Sequence, residues 1–220
     1  MTSGVAPLER RSTVDALVTA LRARILDGDL AGGERLREQE LSATYDVARH
    51  TVRAALRALE REGLVVLEPH RGARVATLDA DGIRGLYELR AALETEALRL
   101  ALERHDGRLP SNLRAAVDRL SAACGRARPR WSAVVDAHED VHAALVEASQ
   151  SARIIAAHRA LAAETRLFLV QLRPTWTYAR MASDHEQLVG ALERPGSEQA
   201  LRAHLRESAD AAISLQTSSL

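Results

Sequence analysis

Apolar residues recur along this chain at helical spacing almost from end to end. Val14, Leu17, Leu21, Ile25 and Leu26 form a first stripe, with Ser12 or Thr13 as its cap. Gly28 and Ala31–Gly33 end that helix, and Leu36 follows in an extended connection. A second short helix is expected roughly from Glu38 to Tyr45, and Asp46-Val47-Ala48 supplies a turn into a third that runs to about Glu62. In the third, Val52, Ala55, Leu56 and Leu59 fall at i, i+3, i+4 and i+7, one buried face of an α-helix. Gly63 is placed as a C-terminal cap glycine. The period then changes. Leu64–Leu67 reads as a short β run, Glu68–Gly72 as a turn, and Ala73–Thr77 as the returning strand. Helix, turn, helix and two-stranded wing make a winged helix-turn-helix domain.

Leu78–Gly82 is a polar hinge, and every later segment reads as helix. The first, Ile83 to Glu103, carries Leu86, Leu89, Leu93, Ala97 and Leu100 as its expected buried stripe. Pro110 opens the next, through Ala116, Val117 and Leu120. Trp131–Ala148 and Ala152–Leu172 follow, Pro174 breaks the chain, and Trp176–Leu192 leads to a turn at Pro195-Gly196. Gln199–Leu215 closes the series. Helices of this length joined by short loops imply an all-α bundle of six to seven helices. The expected organisation is a flexible tail at residues 1–11, a winged helix-turn-helix domain at 12–78 and an all-α domain at 79–220. The fold class is mainly α.

Composition narrows the partners. The chain has 220 residues, 46% of them hydrophobic, ample for buried cores, and only 3% aromatic, which favours helices. Thirty basic residues, all arginine, balance thirty acidic ones, so any nucleic-acid contact must be local. Six Arg against three Glu lie between Val47 and Arg74, where the recognition helix and wing fall. The single cysteine, Cys124, suits a reducing compartment. No segment has signal-peptide or membrane-span character, so a cytoplasmic protein with no membrane partner is expected. Cys124, Trp131 and Trp176 are expected to pack or lie at the surface. His105 and His158 are read as surface residues without partners.

Arg49, Arg53 and Arg57 follow one another every four residues, off the apolar stripe of the third helix. An arginine face on the second helix of a helix-turn-helix is suited to reading the major groove, where guanidinium pairs bidentately with guanine. Gly28, Leu30, Gly33 and Leu36 form a G-x-L-x-x-G-x-x-L run, followed by the pair Glu40-Leu41 and by VRAALRALEREGLV closing in HRGARV. By these marks residues 14–77 resemble the winged-helix domain of the GntR family of bacterial transcription regulators. The resemblance implies that Arg49, His50, Thr51 and Arg53 meet bases and phosphates, with Arg71 and Gly72 at the wing. Arg57 and Arg61 drift round the helix toward phosphate or plain surface. Where the family usually has Ser-Arg-x-Pro before Val-Arg, this chain has Ala48-Arg49-His50-Thr51.

In the second half, LYELRAALETEALRLAL, DVHAALVEAS and DHEQLVGAL resemble helices of the FadR subfamily, whose C-terminal FCD domain binds a ligand. His138 and His142 lie at i, i+4 on one helix face, and His185 and His204 flank Pro195-Gly196 at nearly equal distances. Antiparallel helices would bring the last two to one height. Four such imidazoles can hold a divalent transition metal, Zn²⁺, Ni²⁺ or Mn²⁺, or can merely line a polar cavity. Metal-binding members of the subfamily carry Asp-x-x-x-His on one helix and a histidine on each of the last two. His142, His185 and His204 match those histidines, while His138 stands where the aspartate is expected. By the same resemblance Arg90 can face an effector carboxylate. Its alternative is an ion pair with Glu94, at i+4.

No nucleophile elbow, H-E-x-x-H, phosphate-binding glycine loop or C-x-x-C is present, and Glu139 and Asp140 do not share the face of the histidines, so no enzyme is expected. The resemblance implies a ligand-responsive regulator, a repressor by family habit. It would bind a near-palindromic double-stranded DNA operator as a homodimer and sense a small carboxylate through a metal. Two alternatives stand beside it. One is a dimeric regulator with a degenerate, metal-free ligand domain; the other is a metal-dependent enzyme with a DNA-binding appendage.

Overall fold

The computed structural model describes residues 12–68, 71–171 and 177–218. The expected tail at 1–11, the turn tip at Pro69-His70, the break at Pro174 and the placing of Trp176 lie outside the described residues. The chain divides into two compact units, the first made of the chain up to Ile25 with Asp29–Ala76, the second of Leu26–Gly28 with the chain from Thr77 onward.

In the first unit, α1 (Thr13–Leu26) starts from a reciprocal cap. Ser12 Oγ accepts from the Asp15 N–H at 3.1 Å, and the Ser12 N–H donates to the Asp15 carboxylate at 3.2 Å. Helix α2 (Glu38–Tyr45) ends at Asp46, which adopts the left-handed conformation with φ 50°. Helix α3 (Arg49–Arg61) starts at Ala48, whose side chain offers no cap, so the position where the family pattern has serine is uncapped here. At its other end the Gly63 and Leu64 N–H groups donate back to the Glu60 and Leu59 carbonyls, with Gly63 at φ 73°. That double bond is the Schellman closure, which needs glycine's freedom at positive φ. The chain leaves it directly into the wing.

The wing has one strand more than the alternation suggested. Strand β3 (Gly72–Val75) pairs with β2 (Val65–Glu68), and also with β1 (Arg35–Leu36), giving an antiparallel sheet in the order β1-β3-β2. Two residues carry no readable period, and so β1 was expected only as an extended connection. Leu36 in β1, Val52, Leu56 and Leu59 in α3, and Val65 and Val75 in the sheet are all buried.

The second unit, as described, comprises helices α4 (Ala80–Arg104), α5 (Ser111–Cys124), α6 (Trp131–Ala148), α7 (Ala152–Gln171), α8 (Tyr178–Ala191) and α9 (Ser197–Ser218). Helix α4 begins inside the expected hinge, because the Asp79 carboxylate accepts from the Gly82 N–H at 2.8 Å and caps it. Its buried face also differs from expectation. Leu89 is exposed and Leu93 and Leu100 only half-buried, while Ile83, Tyr87, Arg90, Glu94, Leu98 and Ala101 are buried. Two charged residues on the inner face displaced the true stripe from view. Helix α6 packs against α4, α5 and α7, with Trp131, Val134, Val135, Val141 and Leu145 buried on it. The Trp131 indole N–H donates to the Leu169 carbonyl at 3.0 Å, which satisfies its one polar atom in the core. No described helix is long and apolar enough to cross a membrane.

Candidate metal centre and nucleic-acid interface

On the first unit, Arg49, His50 and Arg53 are exposed on the first turns of α3, and Arg57 and Arg61 on the later ones. Thr51 does not join them. It is only 7% exposed, because its place on the helix turns it toward the face carrying Val52 and Ala55. At the wing, Arg71 and Gly72 are exposed, and Gly72 has φ 90°, a conformation in which a side chain would be strained. A cleft of about 330 Å³ separates α3 from the wing, lined in part by Arg53, Arg57, Glu68 and Gly72. Glu38, in the first turn of α2, also lines it and holds Arg53 at 2.8 Å. That pair had no sequence signal, since fifteen residues separate its members.

In the second unit, His138, His142 and His185 come together. One ring nitrogen from each lies within 4.8 Å of the others, and all three residues are buried. Helix α6 supplies the first two from one face, with ring centroids 4.8 Å apart, and α8 supplies the third. His204, on α9, lies beside the group without joining it. Its ring is 4.7 Å from that of His185 and 5.7 Å from that of His142, but its nitrogens fall outside the converging set. The equal spacing about Pro195-Gly196 does set the two rings side by side, as expected. His204 lines a cleft of about 220 Å³, shared with Arg180, Asp184, Glu207 and Ser208.

Hydrogen bonds fix which nitrogens converge. The His142 Nδ1–H donates to Glu94 Oε2 at 2.7 Å, and the His185 Nδ1–H donates to the Met181 carbonyl at 2.8 Å. In neutral rings so held, each Nε2 carries a lone pair, and the two Nε2 atoms face each other at 3.3 Å. Neither can donate to the other without giving up its Nδ1–H. His138 Nδ1 is buried with no hydrogen-bond partner among the described residues. Burial holds His138 and His185 well below the ordinary histidine range, with the neighbouring imidazoles adding to the effect. Burial also lowers His142, against the pull of Glu94, and takes His204 down to about 3. All four are neutral near pH 7. Buried neutral imidazoles with converging lone pairs fit a divalent cation: tetrahedral Zn–N bonds of about 2.0–2.1 Å would set neighbouring nitrogens about 3.3 Å apart.

Behind the group lies a hub that the sequence only half disclosed. Glu94, fully buried, accepts from Arg90 Nε at 2.8 Å through Oε1, and His158 Nε2 lies 3.3 Å from the same oxygen. Burial alone would raise the Glu94 carboxyl, but Arg90 and then His142 outweigh it and hold it well below the usual range. Arg90 forms the ion pair with Glu94 that was one of its two expected roles, and both residues are buried. His158 is correspondingly corrected from a surface residue to a buried partner of Glu94. His105 also has a partner, the Ala148 carbonyl at 3.1 Å. A charged pair set into the apolar run of α4 was the available signal. Next to His138, burial pushes the Glu139 carboxyl up to about 7, and its Oε2 has no partner among the described residues. Asp140 is exposed.

Residues 13–75 match the bacterial regulatory proteins of the gntR family, and residues 85–210 match the FCD domain. The chain is 35% identical over 149 residues to the HTH-type transcriptional regulator BphR of Paraburkholderia xenovorans (strain LB400), covering 64% of this chain and 60% of that protein. It is 36% identical over 88 residues to the gluconate operon transcriptional repressor of Bacillus licheniformis, covering 40% of this chain and 36% of that one. These matches span less than two thirds of the length of either relative. Among solved structures, a transcriptional regulator GntR from Rhodococcus sp. RHA1 superposes with a TM-score of 0.72 at 25% identity, over 95% of this chain and 99% of that one. The family and the relatives it brings are transcription regulators, not enzymes. With both halves matched in order, the chain belongs to the GntR family of bacterial regulatory proteins, in the branch whose second domain is an FCD domain.

Proposed function

We propose that this chain is a ligand-responsive DNA-binding regulator, acting in the cytoplasm as a homodimer on a near-palindromic double-stranded operator. The exposed row of Arg49, His50 and Arg53 on α3, beside the cleft that Gly72 lines from the wing, carries the DNA-binding part. Arginine there suits guanine or phosphate, and a C2 dimer would present two such heads to two half-sites. Repression is favoured over activation by relatives named as repressors, among them the gluconate operon repressor and the NanR of Enterobacter sp. (strain 638).

His138, His142 and His185 would hold a divalent transition metal, with His204 alongside. The metal would supply a Lewis-acid anchor for a small organic acid. Arg90 serves that centre through Glu94, which orients His142. A carboxylate effector controls DNA binding only if its affinity differs between the DNA-competent and incompetent states. The facing Nε2 lone pairs, 3.3 Å apart, support the metal over a merely polar cavity. The test is operator binding by the full chain with and without bound metal, on a duplex recovered by selection from a random pool. Specific binding by the wild type that is lost in Arg49→Ala supports the DNA-binding role. Failure to select any duplex would overturn it.

A further inference from the structure

Helix α3 carries Arg49, Arg53, Arg57 and Arg61, and among the described residues only Arg53 is held in an ion pair. Its partner, Glu38, lies in the first turn of α2. Both carboxylate oxygens accept from Arg53 Nε, at 2.9 and 2.8 Å, and no hydrogen bond among the described residues engages the terminal Nη1 and Nη2 groups. The pair is partly open to solvent, with the Arg53 side chain 59% exposed and that of Glu38 35%. Leu56 and Leu67 line the same cleft beside it.

A carboxylate at this place works against attraction to DNA, because it offsets an arginine charge on a surface that has to meet phosphate. It also removes a choice. A loose arginine reaches whichever phosphate oxygen or base edge is nearest, whereas one tied through Nε has only its terminal amino pair to offer. Guanine presents two acceptors, O6 and N7, to such a pair, and adenine presents N7 beside an N6 amino donor. A fixed fork therefore meets donor against donor on adenine. A mobile arginine escapes that clash by turning to a phosphate. Holding the side chain in advance also reduces the rotamer freedom lost on docking.

We propose that Glu38 is a positioning residue for base reading: it presets Arg53 so that its terminal amino pair meets a guanine edge rather than a phosphate, and so lowers affinity while raising discrimination. An Arg53 that left for the phosphates would strand the Glu38 carboxylate, unpaired, beside a polyanion. Arg49 and Arg57, which no carboxylate holds among the described residues, keep the freedom to follow the backbone.

This inference rests on the DNA binding proposed above, and the experiment separates the two. The duplex selected from a random pool, and duplexes each carrying one base-pair exchange in its half-sites, are titrated by fluorescence anisotropy. The proteins are full-length wild type, Glu38→Ala, Arg53→Ala and the double variant. Wild type should lose about fivefold or more in affinity at one G·C-to-A·T exchange that Arg53→Ala no longer senses. Glu38→Ala should reduce that ratio at least about threefold, chiefly by binding the exchanged duplex more tightly, with the ratios at other positions unchanged. In the Arg53→Ala background, removing Glu38 should leave every ratio as it was. An Arg53→Ala variant that senses every exchange as wild type does would overturn the inference and leave the DNA-binding role standing. So would a Glu38→Ala variant whose ratios are unmoved, or whose affinities for all duplexes change by one common factor. No specific duplex for the wild type would overturn that role and this inference together. Should Glu38→Ala fail to fold, Glu38→Gln, a neutral side chain of the same shape, takes its place and the same ratio decides.

Discussion

His142 and Glu94 are joined by a 2.7 Å hydrogen bond in which the imidazole Nδ1–H donates to a carboxylate with no exposed surface. That bond fixes the tautomer that sends the His142 Nε2 lone pair toward His185, and it links the candidate centre to the buried ion pair with Arg90. Histidine ligands are commonly oriented by such an outer partner, whose loss typically costs about 10–100-fold in metal affinity. Glu94→Gln is expected to weaken Zn²⁺ binding by that order, read by competition with a chromophoric chelator. Unchanged affinity would show that the bond does not serve the ion.

Glu94→Ala should do more, because it strips Arg90 of its partner in the core. Removing one member of a buried pair costs about 3–5 kcal/mol. Urea unfolding of chelator-treated protein should show that loss against wild type. A change within about 0.5 kcal/mol, the range of ordinary surface substitutions, would contradict the buried hub.

Acid should destabilise the metal-free second unit. His138, His142, His185 and His204 all have folded values below the ordinary 6.5, so the unfolded chain binds more protons once pH drops through that value. Their stabilising effect is complete above pH 6.5 and is lost progressively below it, for His204 down to about pH 3. Glu94, depressed below its ordinary 4.5, adds a loss in the same direction once pH falls through 4.5. Glu139 opposes them, since its folded value of about 7 favours the folded state as pH drops from 7 toward 4.5. Four histidines outweigh one carboxyl in that window. Melting temperature measured from pH 7.5 to 5 should fall, and fall less in His204→Asn. A flat profile would contradict the buried neutral cluster.

Arg53 should contribute to DNA binding through charge, and Glu38 should temper it. Arg53→Ala is expected to weaken binding to the selected duplex and to reduce the salt dependence by about one counterion. Glu38→Gln releases the 2.8 Å pair and should tighten binding at low salt. Equal affinities for all three proteins, by fluorescence anisotropy across a salt series, would show that α3 docks elsewhere than by this face.

Much of the fold was legible because apolar period and punctuation agreed. The bounds expected for α2 and α6 are those found, since Asp46 closes the first and the arginine- and proline-rich stretch before Trp131 precedes the second. What escaped reading did so for physical reasons. Strand β1 is too short to have a period. Helix α4 hides its inner face because Arg90 and Glu94 neutralise each other there, so charge no longer marks solvent. Spacing about Pro195-Gly196 placed the rings of His185 and His204 together, but which nitrogens converge depends on side-chain rotation that spacing does not encode. His158 meets Glu94 across 64 residues, a contact that only the packing of α4 against α7 creates.

His138, His142 and His185 are proposed to hold an ion at one point. The most direct measurement is an anomalous-difference map from crystals of Zn²⁺-loaded protein, collected at the zinc edge. One peak per chain is predicted, about 2.0–2.1 Å from both His142 Nε2 and His185 Nε2. A map with no peak between those atoms, or with zinc bound only elsewhere on the chain, would contradict it.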